Sequence, residues 1–473
     1  MFVWYASLLF RNTSFAAGGP DESGYMSEAK MLRAGRLRVE IEPLRTLELD
    51  RSFADVFTPL GFHNAGTRTM VPSYPPGLPV HLLLASFFGG WERAPYLIAP
   101  IMALGCLILT YFVSRELGLP PLFAVAAAAI LAAVPQFVLL SLQVMSDVPA
   151  TFWALLAIWF ALRSAAEDKH AFPSALAAGI ALGIAFWVRP TNAVLALPIA
   201  LAMRGRRALV IRAAIGAAPL IVLLLCLNAG VYGNPFRMGY GTPIEVLSLT
   251  RFGEALGFYS RWMVRTLTPL VFPLGLLVIL DRRADAWHRA MLASWFLSLI
   301  VFYGLYGPFD AWWYTRFLLP ATPALIIGTL FLIRDLTPAT LASVAAIALC
   351  AVVIYVSVRF GTRKRVLWID DDQRVYTGAM QWSAALLPRD AIVVSGVLSG
   401  SFLLYQSRFT ARWDRLDDDR FQLLRAYAGN AGLKWFAVLS DQEVSMDEFQ
   451  RHLHGRWTPV SKFRDVTLYR LED

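Results

Sequence analysis

Charge, cysteine and internal repetition are all scarce in this chain of 473 residues. Only 16% of the residues are charged and 57% are apolar, beyond the roughly half-apolar usage of soluble domains. A soluble globular protein is thereby excluded over most of the length. The only cysteines, Cys106, Cys226 and Cys350, each lie inside a different apolar run, which argues against a disulfide framework or a thiolate metal site. No repeat with a period of 20–50 residues is visible, and no tract is of low complexity. The first ten residues lack both a basic n-region and a small-residue cleavage site, so no secretory peptide is read there. That segment is also short for a membrane span: either it continues through residues 13–17 as a marginal helix, or the beginning of the first span lies upstream.

Apolar runs recur from Tyr96 to Val358, most of them near the ~17–25 residues that cross a bilayer as a helix. They do not alternate in polarity as membrane-spanning strands would. The chain carries 43 Lys and Arg against 34 Asp and Glu, a net charge of +9. Much of that excess sits in short loops between apolar runs, where cytoplasmic arginines orient helices, so no nucleic-acid partner is expected. With Arg115, Arg163 and Lys169, the arginines of 204–212 and 282–289, and Arg334 on the cytoplasmic side, ten alternating spans follow. They are 96–114, 122–142, 149–162, 174–188, 192–203, 209–231, 267–280, 287–305, 317–333 and 338–358. Residues 11–95, 145–149, 232–265, 307–316 and the C-terminal region then share one outer face, provided that 76–90 lies along or dips into that surface.

From Arg359 onward the composition is that of a soluble domain. Residues 382–387 fit a helix, and 391–394, 435–439 and 466–469 fit strands. The expected fold is a polytopic α-helical membrane protein of about 10–12 spans with a small C-terminal α/β extracytoplasmic domain. The expected domains are 1–358, with a first outer loop at about 11–95, and 359–473. The run Arg363-Lys364-Arg365 would face outward, against the charge rule, with Asp370-Asp371-Asp372 close behind.

Pro20-Asp21-Glu22-Ser23-Gly24-Tyr25 opens the one long polar stretch in the first third of the chain. A helix begins naturally there, with Tyr25, Ala29 and Leu32 on one face and Gly35 as its stop. An acid at a helix N-terminus satisfies orphan amides and the dipole, and a carboxylate at the mouth of a hydrophobic bundle also suits chemistry at a membrane surface. Asp147, in Ser146-Asp147-Val148-Pro149, sits between two apolar runs, where a charge is costly unless it meets water, a partner or an ion. It is equally a good helix start. Arg316 follows Trp312-Trp313-Tyr314; its planar fork suits a phosphate, although aromatic residues and arginine are also ordinary interfacial anchors. Arg189, before Pro190, is similar, and Arg68 and His63 are supplements. Histidines such as His63 and His81 are more often surface or packing residues.

These motifs occur in a recognisable order: Asp-Glu-x-x-Tyr-x-x-x-Ala-x-x-Leu-x-x-Gly from Asp21, Tyr74-Pro75-Pro76-Gly77, Ser146-Asp147-Val148-Pro149, Trp187-Val188-Arg189-Pro190-Thr191 and Arg316-Phe317-Leu318-Leu319-Pro320. Over essentially its whole length the chain resembles the polyprenyl-phosphate-sugar-dependent glycosyltransferases of the GT-C type, which include aminoarabinose transferases and protein mannosyltransferases. The resemblance implies an inverting transfer of a sugar from a polyprenyl-phosphate donor to a hydroxyl acceptor at the extracytoplasmic face of the plasma (inner) membrane. It further implies Asp21 as the catalytic base, Arg316, Arg189 and Arg68 on the donor phosphate, and Glu22, Tyr25 and Tyr74 against substrate. Asp147 and Glu22 are the candidates to hold a divalent cation, Mg²⁺ or Mn²⁺, both of which prefer oxygen ligands. Aminoarabinose transferases tend to carry a lysine just before the proline of the Tyr-Pro-Pro region, where this chain has Ser73-Tyr74, which argues against lipid A as acceptor. The rival reading, a transporter of lipid-linked sugars or other solutes, predicts midplane charges and two related halves, and neither is apparent.

Overall fold

Proline placement decides which apolar runs become long helices. Val134 precedes Pro135 and adopts φ −59°, ψ 121°, the extended backbone that a following proline favours. The 122–142 run is consequently bent by 67° between the helices Pro121–Ala133 and Pro135–Ser141. Pro269 and Pro273 act likewise on 267–280: the helix Phe252–Leu267 ends, and the remainder is the 3₁₀ segment Leu274–Leu280. Pro190 opens a 3₁₀ segment, Pro190–Leu195, which leads into the short helix Ala196–Ala202.

The computed structural model describes residues 2–66, 68–166, 169–307 and 309–472; Met1 and Pro308, at the start of the N-terminal run and inside the 307–316 loop, fall outside them. Among the described residues six helices are long and apolar enough to cross a membrane, or seven if the bent pair is one crossing. They are Gly77–Glu116, Asp147–Ala166, Ala171–Val188, Arg207–Tyr232, Trp312–Leu336 and Ala339–Arg363. The other expected runs are folded as shorter pieces, apart from the 19-residue helix Ala286–Gly304. The first helix, Phe2–Asn12, stops before Thr13, so it does not continue through 13–17 as one alternative required.

Contacts divide the chain into two units that do not follow chain order. One comprises Met1–Thr13, Leu97–Leu227 and Gly241–Ile369; the other comprises Ser14–Tyr96, Asn228–Tyr240 and Asp370–Asp473. The first is a helical bundle. Within it Gly179 and Gly183 let the helix Ala171–Val188 approach the helix Arg207–Tyr232 so closely that a Cβ on Gly179 would lie 1.9 Å from the Ala213 carbonyl oxygen. This is the small-xxx-small packing that associates helices in lipid.

The second unit holds two sheets. A small antiparallel sheet has the order Val39–Glu40, Thr69–Pro72, Phe62–Asn64. A five-stranded sheet has the order Thr410–Ala411, Ala391–Val394, Lys434–Ser440, Val466–Glu472, Arg456–Phe463, parallel at its first two pairings and antiparallel at the rest. The buried strands Ala391–Val394 and Lys434–Ser440 lie where their apolar runs predict. The first polar stretch and the C-terminal domain share one hydrophobic core: Ile41, Leu44, Phe53 and Phe57 from the former pack with Phe421, Trp435, Phe449 and Trp457 from the latter. Backbone bonds join them as well, with the Arg412 amide donating to the Val56 carbonyl at 2.8 Å.

Candidate functional site

Asp21 and Glu22 fall in the first turn of the helix Pro20–Arg33, with Pro20 at its first position and Gly19 extended before it. Proline is preorganised for that position, and the exposed amides of a helix start favour carboxylates. Asp21 is half-buried. The Tyr74 hydroxyl donates to Asp21 Oδ1 at 2.7 Å, which holds the carboxylate in one orientation. Burial, reinforced by the neighbouring Asp21 carboxylate, pushes the Tyr74 hydroxyl far up, so Tyr74 acts as a donor and not as an anion. Its ring is held in turn by Tyr25, with centroids 4.5 Å apart, and by the edge of Tyr240 at 5.8 Å.

Gly24 makes this arrangement sterically possible. A Cβ there would lie 2.4 Å from Tyr74 Cε2 and 3.0 Å from the Gly61 Cα, and Gly61 itself adopts φ +90°. Replacing Gly24 by alanine is expected to push Tyr74 off Asp21 and to cost about 1–3 kcal/mol through overpacking. A melting curve and a turnover assay on Gly24→Ala check this; unchanged values for both would show that Tyr74 can yield.

Glu22 is buried and folds back over Gly19. Gln373 Nε2 donates to Glu22 Oε1 at 3.1 Å, while Gln373 Oε1 accepts from the amides of Gly18 at 2.8 Å and Gly19 at 3.3 Å. Ser401 Oγ adds a bond to the Gly18 carbonyl at 2.6 Å. Glu22 is thus engaged in bracing the helix entry. Tyr376 lies against Gly18, and burial, then the Glu22 carboxylate, pushes its hydroxyl up to about 12. Sequence reasoning missed Gln373, Ser401 and Tyr376. It also missed Glu28, whose carboxyl burial raises well above the usual range and whose Oε2 has no hydrogen-bond partner among the described residues. His63 is half-buried, and burial, then Arg237, lowers its imidazole, so it is a neutral side chain. Arg68 is exposed beside the small sheet.

In the helical unit Asp147 opens the helix Asp147–Ala166 and is fully buried. Arg189 Nη2 lies 2.7 Å from its Oδ1. Pro190 holds Arg189 in an extended conformation, φ −147°, ψ 104°, just past the helix Ala171–Val188, and so aims the guanidinium away from the helix axis. Arg316 stands on the 3₁₀ segment Trp312–Ala321, which Gln136 anchors by donating to Thr315 Oγ1 at 2.6 Å. Both arginines lie over the Phe317 ring, Arg189 at 5.3 Å and Arg316 at 5.4 Å from its centroid. Tyr303 stacks on the same ring at 4.9 Å and shares a 2.8 Å hydroxyl bond with Thr191. Two guanidinium groups thus lie over one aromatic ring, one of them paired with a buried carboxylate, and guanidinium forks suit an anion. Tyr303 carried no sequence signal, and Phe317 entered only as part of the Arg316-Phe317-Leu318-Leu319-Pro320 motif.

The metal expectation fits this arrangement poorly. Asp147 is compensated by Arg189 and Glu22 is bonded by Gln373, and among the described residues no group of three or more His, Cys, Asp or Glu side chains is gathered as a cation requires.

The chain is a polytopic α-helical membrane protein with a sheet-containing C-terminal part, and its fold is one already seen among solved membrane proteins. Residues 75–232 match the family of dolichyl-phosphate-mannose-protein mannosyltransferases. The fold is similar to that of ArnT from Cupriavidus metallidurans in the apo state, with TM-score 0.61 and 13% identity over 99% of this chain and 96% of that one. The undecaprenyl-phosphate-bound form of ArnT is matched with TM-score 0.60 and 14% identity, over 99% of this chain and 97% of that one. An oligosaccharyltransferase from Archaeoglobus fulgidus in complex with Zn and sulfate is matched with TM-score 0.53 and 13% identity, over 99% of this chain and 73% of that one. No curated protein matches the chain significantly in sequence.

Proposed function

We propose that the protein is an inverting glycosyltransferase that moves a sugar from a polyprenyl-phosphate donor to a hydroxyl acceptor on the extracytoplasmic face of the plasma membrane. The observation that carries this reading is the half-buried Asp21 carboxylate, oriented by the Tyr74 hydroxyl at 2.7 Å at a helix N-terminus. The acceptor hydroxyl attacks the anomeric carbon as Asp21 takes its proton; the bond to the phosphate oxygen breaks, and the lipid phosphate departs with that electron pair. A phosphate is a stable leaving group, so the protein needs a positive clamp more than an acid. Arg316 and Arg189 are the side chains assigned to that clamp.

Three further points support the reading. The fold is shared with ArnT, one of whose structures holds undecaprenyl phosphate. The arginines of the loops around 115, 163, 204–212, 282–289 and 334 favour a cytoplasmic location, which leaves the first polar stretch outside. Ser73-Tyr74 stand where aminoarabinose transferases tend to carry a lysine just before the proline, which argues against lipid A as the acceptor. The test is release of polyprenyl phosphate by purified, lipid-reconstituted protein offered a panel of polyprenyl-phosphate sugars. Release from one donor is the expected result; movement of lipid-linked sugar between leaflets without release from any donor would replace the transferase by a transporter.

A further inference from the structure

A cavity of about 520 Å³ opens in the helical unit between the helices Phe2–Asn12, Ile98–Glu116, Pro121–Ala133 and Ala339–Arg363. Its wall is almost entirely hydrocarbon, with Trp4, Leu8, Phe112, Val125, Ala129 and Val358 contributing. Asp147, Arg189, Arg316 and Phe317 are not part of the wall, so the cavity is separate from the arginine cluster. A polar solute would lose its hydration there without compensation, whereas an acyl chain gains about 0.8 kcal/mol per buried methylene relative to water.

Two features show what kind of amphiphile fits. Gly361 and Thr362 line the cavity before the turn that leaves the helix Ala339–Arg363, and Val366, Leu367 and Trp368 line it after that turn. The intervening Arg363, Lys364 and Arg365 are exposed, so a basic turn stands at the rim of an apolar hole. Trp368, 44% exposed, is the amphipathic ring expected where hydrocarbon gives way to headgroups. The second feature is the placement of that turn: in the orientation proposed above it breaks the charge rule, and a local anionic partner accounts for its retention at that end.

We infer that this cavity binds the acyl chains of an anionic glycerophospholipid of the surrounding bilayer, with its phosphate against Arg363 and Lys364. The site depends on the protein being embedded in a membrane and not on the transferase reading, so either can fail alone. The test uses the full chain in nanodiscs of phosphatidylglycerol and phosphatidylcholine, followed by native mass spectrometry of the retained lipid. Phosphatidylglycerol is expected to be retained over phosphatidylcholine. The exposed double substitution Arg363→Gln/Lys364→Gln is expected to weaken phosphatidylglycerol binding about thirtyfold, as two surface cations imply. Ala129→Phe, which narrows the cavity, is expected to weaken retention of both lipids; the melting temperature of each variant in lipid-free detergent confirms folding. Equal retention of the two lipids would overturn the headgroup assignment, and full retention by folded Ala129→Phe would overturn the cavity. Competitive displacement of phosphatidylglycerol by polyprenyl phosphate would likewise overturn the proposal, by making the cavity a donor subsite.

Discussion

Asp21→Asn is expected to lower the turnover number by about 10²–10⁴-fold, the usual contribution of a positioned general base, while leaving the melting temperature unchanged. The amide oxygen of asparagine can still accept from the Tyr74 hydroxyl, and the side chain keeps its volume, so the helix start and the Tyr25–Tyr74–Tyr240 aromatic contacts persist. What is lost is the capacity to take a proton. A Tyr74→Phe control removes one hydrogen bond worth about 0.5–1.5 kcal/mol and leaves the carboxylate in place, so its turnover falls much less. Polyprenyl-phosphate release measured alongside thermal unfolding separates the two effects. Wild-type turnover in folded Asp21→Asn would remove Asp21 from the mechanism.

The second large effect lies at the pair formed by Asp147 and Arg189. Asp147 is fully buried, its oxygen lies 2.7 Å from Arg189 Nη2, and the Arg189 side chain is only 12% exposed. Removing one partner strands a buried charge, so Asp147→Ala and Arg189→Ala are each expected to destabilise the fold by about 3–5 kcal/mol. The apolar double replacement Asp147→Leu/Arg189→Met is expected to recover most of that loss, because apolar side chains of similar volume often replace a buried pair without penalty. The recovered protein tests function apart from folding. If Arg189 grips the donor phosphate, the double variant folds but binds polyprenyl phosphate more weakly than wild type. Undiminished binding by the folded double variant would reduce the pair to a structural role and leave Arg316 as the phosphate ligand.

Local signals were legible and long-range ones were not. Pro20 followed by two acids marks a helix start, and Ser146-Asp147-Val148-Pro149 marks another; both helices begin there. The strands at 391–394 and 434–440 follow from unbroken apolar runs. The strand Arg456–Phe463 escaped because only Trp457 in it is buried and Pro459 interrupts it, and proline in a run argues against a strand. The helix Phe252–Leu267 escaped because an amphipathic helix lacks the continuous apolarity that marks a span. Gln373 gave no warning at all: a glutamine 351 residues from Glu22 has no local pattern that predicts its bond.

Composition, periodicity and the order of short motifs determined by themselves that this is a helical membrane protein with a small α/β C-terminal part, because burial in lipid and helix capping act through neighbours along the chain. Tertiary structure alone decided that Tyr74 orients Asp21, that Gln373 and Ser401 brace the same helix from the C-terminal domain, and that Arg189 pairs with Asp147 beside Arg316. Those partners are separated by tens to hundreds of residues, and only the closure of the chain around shared cores, which no local preference encodes, brings them within hydrogen-bonding distance.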